Sequence, residues 1–181
     1  ETSAEAYYLL GAMYLSEFWD PVMAKEKFNL VKKEFSRSEF GPFSDTKIKA
    51  IDKYVDALAL LKKYDVKLDT LNNDSLIMDS SKVVDLQPKK SIQELLYLLG
   101  DIETFSFDRV DSGIVYFERI LEQDSSSQYY PKALFTLSMI YAELADSSKL
   151  EQYSSILKTK YPGSDYTSYF FDSENIDSSP R

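Results

Sequence analysis

The sequence predicts an all-α fold, and three observations lead there. Glycine and proline are scarce, 5 and 6 in 181 residues. A sandwich or barrel spends these residues on a turn every ~8–12 positions, and a phosphate-binding α/β fold needs its glycines clustered. Apolar residues recur at steps of three and four over most of the chain, the helical period. Finally, 44% of the residues are hydrophobic, with 14 Tyr, 11 Phe and 1 Trp, enough for a packed core in about 180 residues.

The elements follow in order. Residues 4–18 read as a helix with Tyr7, Leu10, Gly11, Tyr14 and Phe18 on one face and Ser3 as N-cap. Trp19-Asp20-Pro21 breaks it, and Pro21 suits the first turn of a second helix ending near Phe35, with Ala24, Phe28, Val31 and Phe35 as its stripe. Residues 36–44, with Gly41 and Pro42, read as a loop. A third helix is expected over 45–64, through Ile48, Ile51, Tyr54, Val55, Leu58 and Leu61. Residues 65–90 carry breakers (Asn72-Asn73-Asp74, Ser80-Ser81, Pro88) and clumped apolar residues, which predicts an irregular connector.

Ser91 opens the next helix with Glu94 at capping-box spacing. Leu95, Leu96, Leu99, Ile102 and Phe105 form its stripe, and a partner helix follows over 110–123. Tyr130-Pro131 begins another helix, and Leu150, Tyr153, Leu157 and Tyr161 mark the next. The aromatic run 166–171 starts a further turn, and the end of the chain reads as a frayed tail. The expected organisation is therefore a helical region 1–64, a connector 65–90, a second helical region 91–171 and a tail 172–181.

Composition narrows the chemistry. Without His or Cys, zinc and copper sites lose their main ligands. Ser-His-Asp and Cys-His catalysis lose their base or nucleophile. No metal and no cofactor is expected. The net charge of −9 is uneven: residues 1–67 carry 11 basic and 11 acidic groups, residues 68–181 carry 10 and 19. An acidic chain without a basic stripe is a poor partner for nucleic acid, and no apolar run reaches a membrane span. The chain opens on Glu1 without a signal pattern, the expectation for a processed piece of a longer protein.

The helices also repeat. Tyr7-x-x-Leu10-Gly11-x-x-Tyr14 aligns with Leu96-x-x-Leu99-Gly100-x-x-Glu103 and with Leu137-Ser138-x-x-Tyr141. Downstream of each lie Ala24/Phe28, Gly113/Phe117 and Leu150/Ser154; the last pair departs from the small-then-bulky pattern. A glycine at such a position lets two helices meet without a Cβ between them.

These motifs resemble the tetratricopeptide repeat. Tyr130-Pro131-Lys132-Ala133 and Tyr161-Pro162-Gly163-Ser164 are similar to the divergent repeats of bacterial cell-envelope proteins of the outer-membrane assembly lipoprotein and Tol-associated coordinator type. The resemblance covers 91–166 and 4–35 and thins over 36–64, where Pro42-Phe43-Ser44 stands as the linking turn. Glu103 departs from the usual Tyr. The resemblance implies antiparallel helix pairs stacked as a short right-handed solenoid, with a non-catalytic role in protein binding. It implies a cell-envelope setting, periplasmic or outer-membrane associated, the cytoplasm being the alternative. A peptide or protein partner and further repeats of a parent chain go with it.

Carried onto this sequence, the concave row of such repeats holds Glu5, Tyr8 and Leu15, then Tyr97, Asp101, Thr104 and Phe105, then Met139 and Glu143. Tyrosine, phenylalanine and methionine supply adaptable contact area, and the acids a negative rim. Two other readings stay open: an architectural spacer, and an all-α glycosidase using two facing carboxylates. Asp101/Glu103 and Asp108/Asp111 are the acid pairs to inspect, although residues two apart on a helix do not share a face.

Overall fold

The computed structural model describes residues 2–73 and 90–177, and these are helical or in turns, with no strand among them. The helices are α1 (Thr2–Ser16), α2 (Pro21–Glu34), α3 (Phe40–Asn73), α4 (Ile92–Asp101), α5 (Val110–Leu121), α6 (Tyr129–Glu143), α7 (Ser147–Lys160) and α8 (Asp165–Asp177), with a π-helical turn, Ile102–Ser106, continuing α4. The all-α expectation holds. Residues 74–89 of the expected connector and 178–181 of the expected tail lie outside the described residues.

Helices α3 and α8 differ from expectation in their bounds. Helix α3 begins at Phe40, inside the stretch 36–44 read as a loop, and runs on to Asn73, past the expected end at 64. Pro42 acts here as a first-turn residue, where no amide donor is needed. The chain turn lies earlier, at Ser38. Its Oγ accepts from the Phe40 N–H at 3.2 Å and its carbonyl from the Gly41 N–H at 3.1 Å. Helix α8 runs to Asp177, through residues assigned to the tail.

The chain forms two compact units, Glu1–Gly113 and Ile114–Arg181. In the first, α1 packs on α2, α2 on α3, and α3 on α4 and the π-turn. Its core includes Leu15, Phe28, Val31, Ile51, Tyr54, Leu95, Leu99 and Phe107. In the second, α6 packs on α7 and α8 around Leu134, Leu137, Tyr153, Leu157 and Phe170.

One backbone closure occurs three times. After α1 the Asp20 N–H donates to the Tyr14 carbonyl at 2.7 Å. After the π-turn the Arg109 N–H donates to the Glu103 carbonyl at 2.8 Å. After α6 the Asp146 N–H donates to the Tyr141 carbonyl at 3.0 Å. Each closure is preceded by a non-glycine residue in the left-handed region: Trp19 (φ 50°), Asp108 (φ 60°) and Ala145 (φ 56°). The accepting residues Tyr14, Glu103 and Tyr141 are the positions the sequence motif aligns. The next helix then starts in the same phase, with Ala24, Gly113 and Leu150 donating to the carbonyls of Asp20, Arg109 and Asp146.

A second turn also recurs. The Ser38, Ser127 and Ser164 amides donate to the carbonyls of Phe35, Asp124 and Tyr161, and each serine Oγ then accepts from the amide two residues on. Pro42-Phe43-Ser44 is therefore not the counterpart of the Tyr161–Ser164 turn; Phe35–Ser38 is.

Asp20 and Asp146 cap their helices, accepting from the Met23 and Lys149 amides at 2.9 and 3.0 Å. Asp20→Ala and Asp146→Ala should each cost about 1 kcal/mol, the usual loss of an N-cap, measured by urea denaturation. Lys62→Ala, at an exposed position in the middle of α3, is the matched control.

Candidate interaction site

The expected groove residues divide by burial. Glu5, Phe105, Met139 and Glu143 are exposed, and Tyr8, Tyr97 and Asp101 are half-buried. Leu15 is 1% exposed and belongs to the core; it sits one helical turn beyond Gly11 on the same buried face. Thr104 is buried as well, its Oγ1 directed at the first turn of α5. Neither offers a surface to a partner, and both are corrections to the expected row. The Tyr8 ring is engaged with Phe28, Phe40 and Phe43, at centroid distances of 5.7, 5.4 and 6.3 Å. Tyr97, Asp101 and Phe105 follow one another at steps of four, along α4 and the π-turn of the first unit. Met139 and Glu143 have the same spacing on α6 in the second.

The π-turn decides which residues of this segment face inward. Ile102, Glu103 and Thr104 are three consecutive buried residues. The Phe107 N–H reaches back five residues to the Ile102 carbonyl at 3.0 Å. Widening the turn leaves Phe105, an expected stripe residue, 62% exposed and puts Phe107 into the core instead. Such wide turns are rare and occur often at functional sites.

A polar cluster that sequence reasoning missed lies beside this turn. Glu103, 2% exposed, accepts a hydrogen bond from Tyr54 Oη on α3 at 2.7 Å. Its Oε2 lies 3.2 Å from Arg109 Nε. The Arg109 guanidinium stacks on the Trp19 ring, 3.6 Å above its centroid, and Nη2 donates to Ser112 Oγ at 3.0 Å. Trp19, Tyr54 and Phe107 pack ring on ring beneath it. Burial pushes the Glu103 carboxyl above its ordinary range, against the opposing pull of the Tyr54 hydrogen bond and the Arg109 charge. Lys47 on α3 donates to the Ser106 carbonyl; burial pulls its pKa down, partly offset by Asp108.

The cluster borders a cleft of about 440 Å³. Glu17, Trp19, Asp108, Arg109, Asp111 and Ser112 line it. Three carboxylates and one guanidinium already engaged by Glu103 make it acidic. The signal in the sequence was a double departure from the repeat. Glu103 stands where the other two units have Tyr14 and Tyr141, and Arg109 where they have Asp20 and Asp146. The structure brings both departures into one ion pair. Of the acid pairs singled out, Asp101 and Glu103 differ in burial, half-exposed against buried, while Asp108 and Asp111 share the cleft wall.

In the second unit the Tyr141 and Tyr153 rings stack at 5.6 Å, and Tyr153 Oη donates to Glu118 Oε1 at 2.6 Å. Burial and that carboxylate hold the Tyr153 phenol well above its ordinary pKa. This pair is a packing element with a satisfied polar tip.

No protein-family model, curated protein or solved structure matches the chain.

Proposed function

We propose that the chain is a non-catalytic, tetratricopeptide-like interaction module that belongs to a bacterial cell-envelope scaffold and binds a peptide or protein partner. The observation that carries this reading is Phe105. An aromatic ring is held outward by a backbone widening that costs regular helical hydrogen bonding. It has Asp101 and Tyr97 one and two turns before it, the aromatic-plus-acid composition of a peptide-binding face. The recurring hairpin closures support a tandem-repeat architecture of stacked helix pairs, the solenoid form of which belongs to this proposal. The acidic character of the face selects against nucleic acid.

The test replaces Phe105 with a photo-crosslinking phenylalanine analogue in cells of the native host. An adduct with a second polypeptide is expected at this position, and none at Val22, which is 78% exposed on α2. Phe105→Ala should change stability by less than about 1 kcal/mol, since the ring has little to lose on folding, yet abolish the adduct partner's co-purification.

One observation favours the architectural-spacer reading. Leu9 and Met13 are exposed at i,i+4 spacing on α1, whose apolar residues occupy more than one side. A helix apolar on several sides is normally covered on all of them, and a neighbouring repeat supplies such cover. Adducts at positions 9 and 13 but not at 105 would put this second reading first.

A further inference from the structure

The buried carboxylate, the guanidinium and the indole beside the cleft form a connected set. Glu103 is fixed by Tyr54 from one side and holds Arg109 from the other, at 2.7 and 3.2 Å. Arg109 in turn covers the Trp19 ring at 3.6 Å. The same guanidinium lines one cleft with three other carboxylates, Glu17, Asp108 and Asp111. Two arrangements of Arg109 are therefore available: inward on Glu103 and Trp19, or outward onto the acidic cleft wall. What selects the inward one is the negative charge on Glu103. We propose that Glu103 is a proton-operated latch: ionised, it holds Arg109 on Trp19 and leaves the cleft acidic; protonated, it releases Arg109 to the carboxylates of the cleft and neutralises it.

The groups facing Glu103 are accounted for element by element. Helix α3 contributes Tyr54 and, two turns earlier on the same face, Lys47, which is engaged by the Ser106 carbonyl and attracted by Asp108. The closure after the π-turn contributes Arg109 and Asp108. The closure after α1 contributes Glu17 and Trp19 to the cleft. Only Arg109 offers Glu103 a countercharge at ion-pair distance among the described residues.

The energetics favour a local change over unfolding. Burial raises the Glu103 pKa in the folded chain above its unfolded value, so the fold binds this proton more tightly than the unfolded chain does. As pH falls through the folded pKa toward the unfolded one, this group adds stability; as pH rises through the folded pKa, that contribution is lost. Protonation thus takes place in an intact fold. The switch lies above the ordinary glutamate value of about 4.3.

Trp19 is the chain's one tryptophan, so its fluorescence reads the latch directly. Wild-type emission, quenched or shifted by the stacked guanidinium, should titrate reversibly with a midpoint above the ordinary glutamate value of about 4.3, with helical circular dichroism constant throughout. Glu103→Gln should show the acid-state spectrum at every pH and lose the titration. Glu17→Gln, Asp108→Asn and Asp111→Asn should keep the titration but lower its midpoint, since each takes away a carboxylate that receives the released Arg109. Should Glu103→Gln misfold, carbon-13 titration of the Glu103 carboxyl and the Arg109 Nε–H resonance in wild-type protein must share that midpoint. A flat emission profile, a titration that survives Glu103→Gln, or one removed by Asp108→Asn or Asp111→Asn would each overturn the latch.

Discussion

Gly113→Ala should destabilise the chain by about 1–2 kcal/mol, whereas Gly163→Ala should leave it unchanged. A Cβ built at Gly113 stands 1.8 Å from Thr104 Oγ1, 3.1 Å from Thr104 Cβ and 2.9 Å from the Gly100 carbonyl oxygen. The hydroxyl can rotate away, but the carbonyl is backbone and fixed by helix α4. The first turn of α5 must then move off the π-turn, the kind of overpacking that costs about 1–3 kcal/mol or more. The helix-propensity gain of about 1 kcal/mol for Ala over Gly offsets only part of it. At Gly163 nothing lies within 4 Å, so the same added methyl meets no neighbour. Thermal melts of the two variants, differing by roughly 2–8 °C at this chain length, read the contrast. Equal melting temperatures would mean that α4 and the start of α5 do not meet at this point.

Phe28→Ala should cost about 3–5 kcal/mol, the range for a buried phenylalanine deleted to Ala. Phe28 is almost wholly buried, with its ring edge against Gly11 and its centroid 5.7 Å from that of Tyr8. A Cβ at Gly11 would stand 2.7 Å from Phe28 Cε1, so Gly11→Ala alone should also destabilise, by about 1–3 kcal/mol. The two sites are coupled. Combining Gly11→Ala with Phe28→Leu gives the new methyl the space the ring edge vacates, and the double variant should be more stable than the sum of the singles by at least about 0.5 kcal/mol. Strict additivity in urea denaturation would show that the α1–α2 contact does not run through this pair.

Much of the helical layout was legible because it depends on local chemistry. Pro21 at a helix start, Ser91 accepting from the Glu94 amide, and Gly11 opposite Phe28 follow from residue types at short spacing. The start of α3 was missed because Gly41-Pro42 is a breaker by propensity, and only the Ser38 cap two residues upstream reveals it as a first turn. Leu15 and Thr104 were turned to the wrong side for different reasons. At Leu15 the phase drawn through Tyr7 and Phe18 was off by one residue, about 100° of helix, and Phe18 lies beyond the end of α1. At Thr104 no α-helical wheel applies, because the turn has π geometry. The Glu103–Arg109 pair joins two departures six residues apart, while its anchor Tyr54 lies 49 residues away, a distance across which periodicity carries no information.

The three closures are of unequal length. Asp20 follows Gly11 by nine residues and Arg109 follows Gly100 by nine, but Asp146 follows Ser138 by eight. All three nevertheless deliver the following helix in one phase, since the surplus residue is taken up before the left-handed position. It enters as a five-residue hydrogen bond from Phe18 to Met13 in one case and from Phe107 to Ile102 in the other. Insertions and deletions are usually confined to loops because, inside a helix, one residue rotates everything downstream by about 100°. Here the end of the first helix of each pair behaves as an expansion joint. The chain tolerates a change of length at that point without re-facing the second helix, so the hairpins of this protein are free to drift by one residue over evolutionary time while their packing faces stay in register.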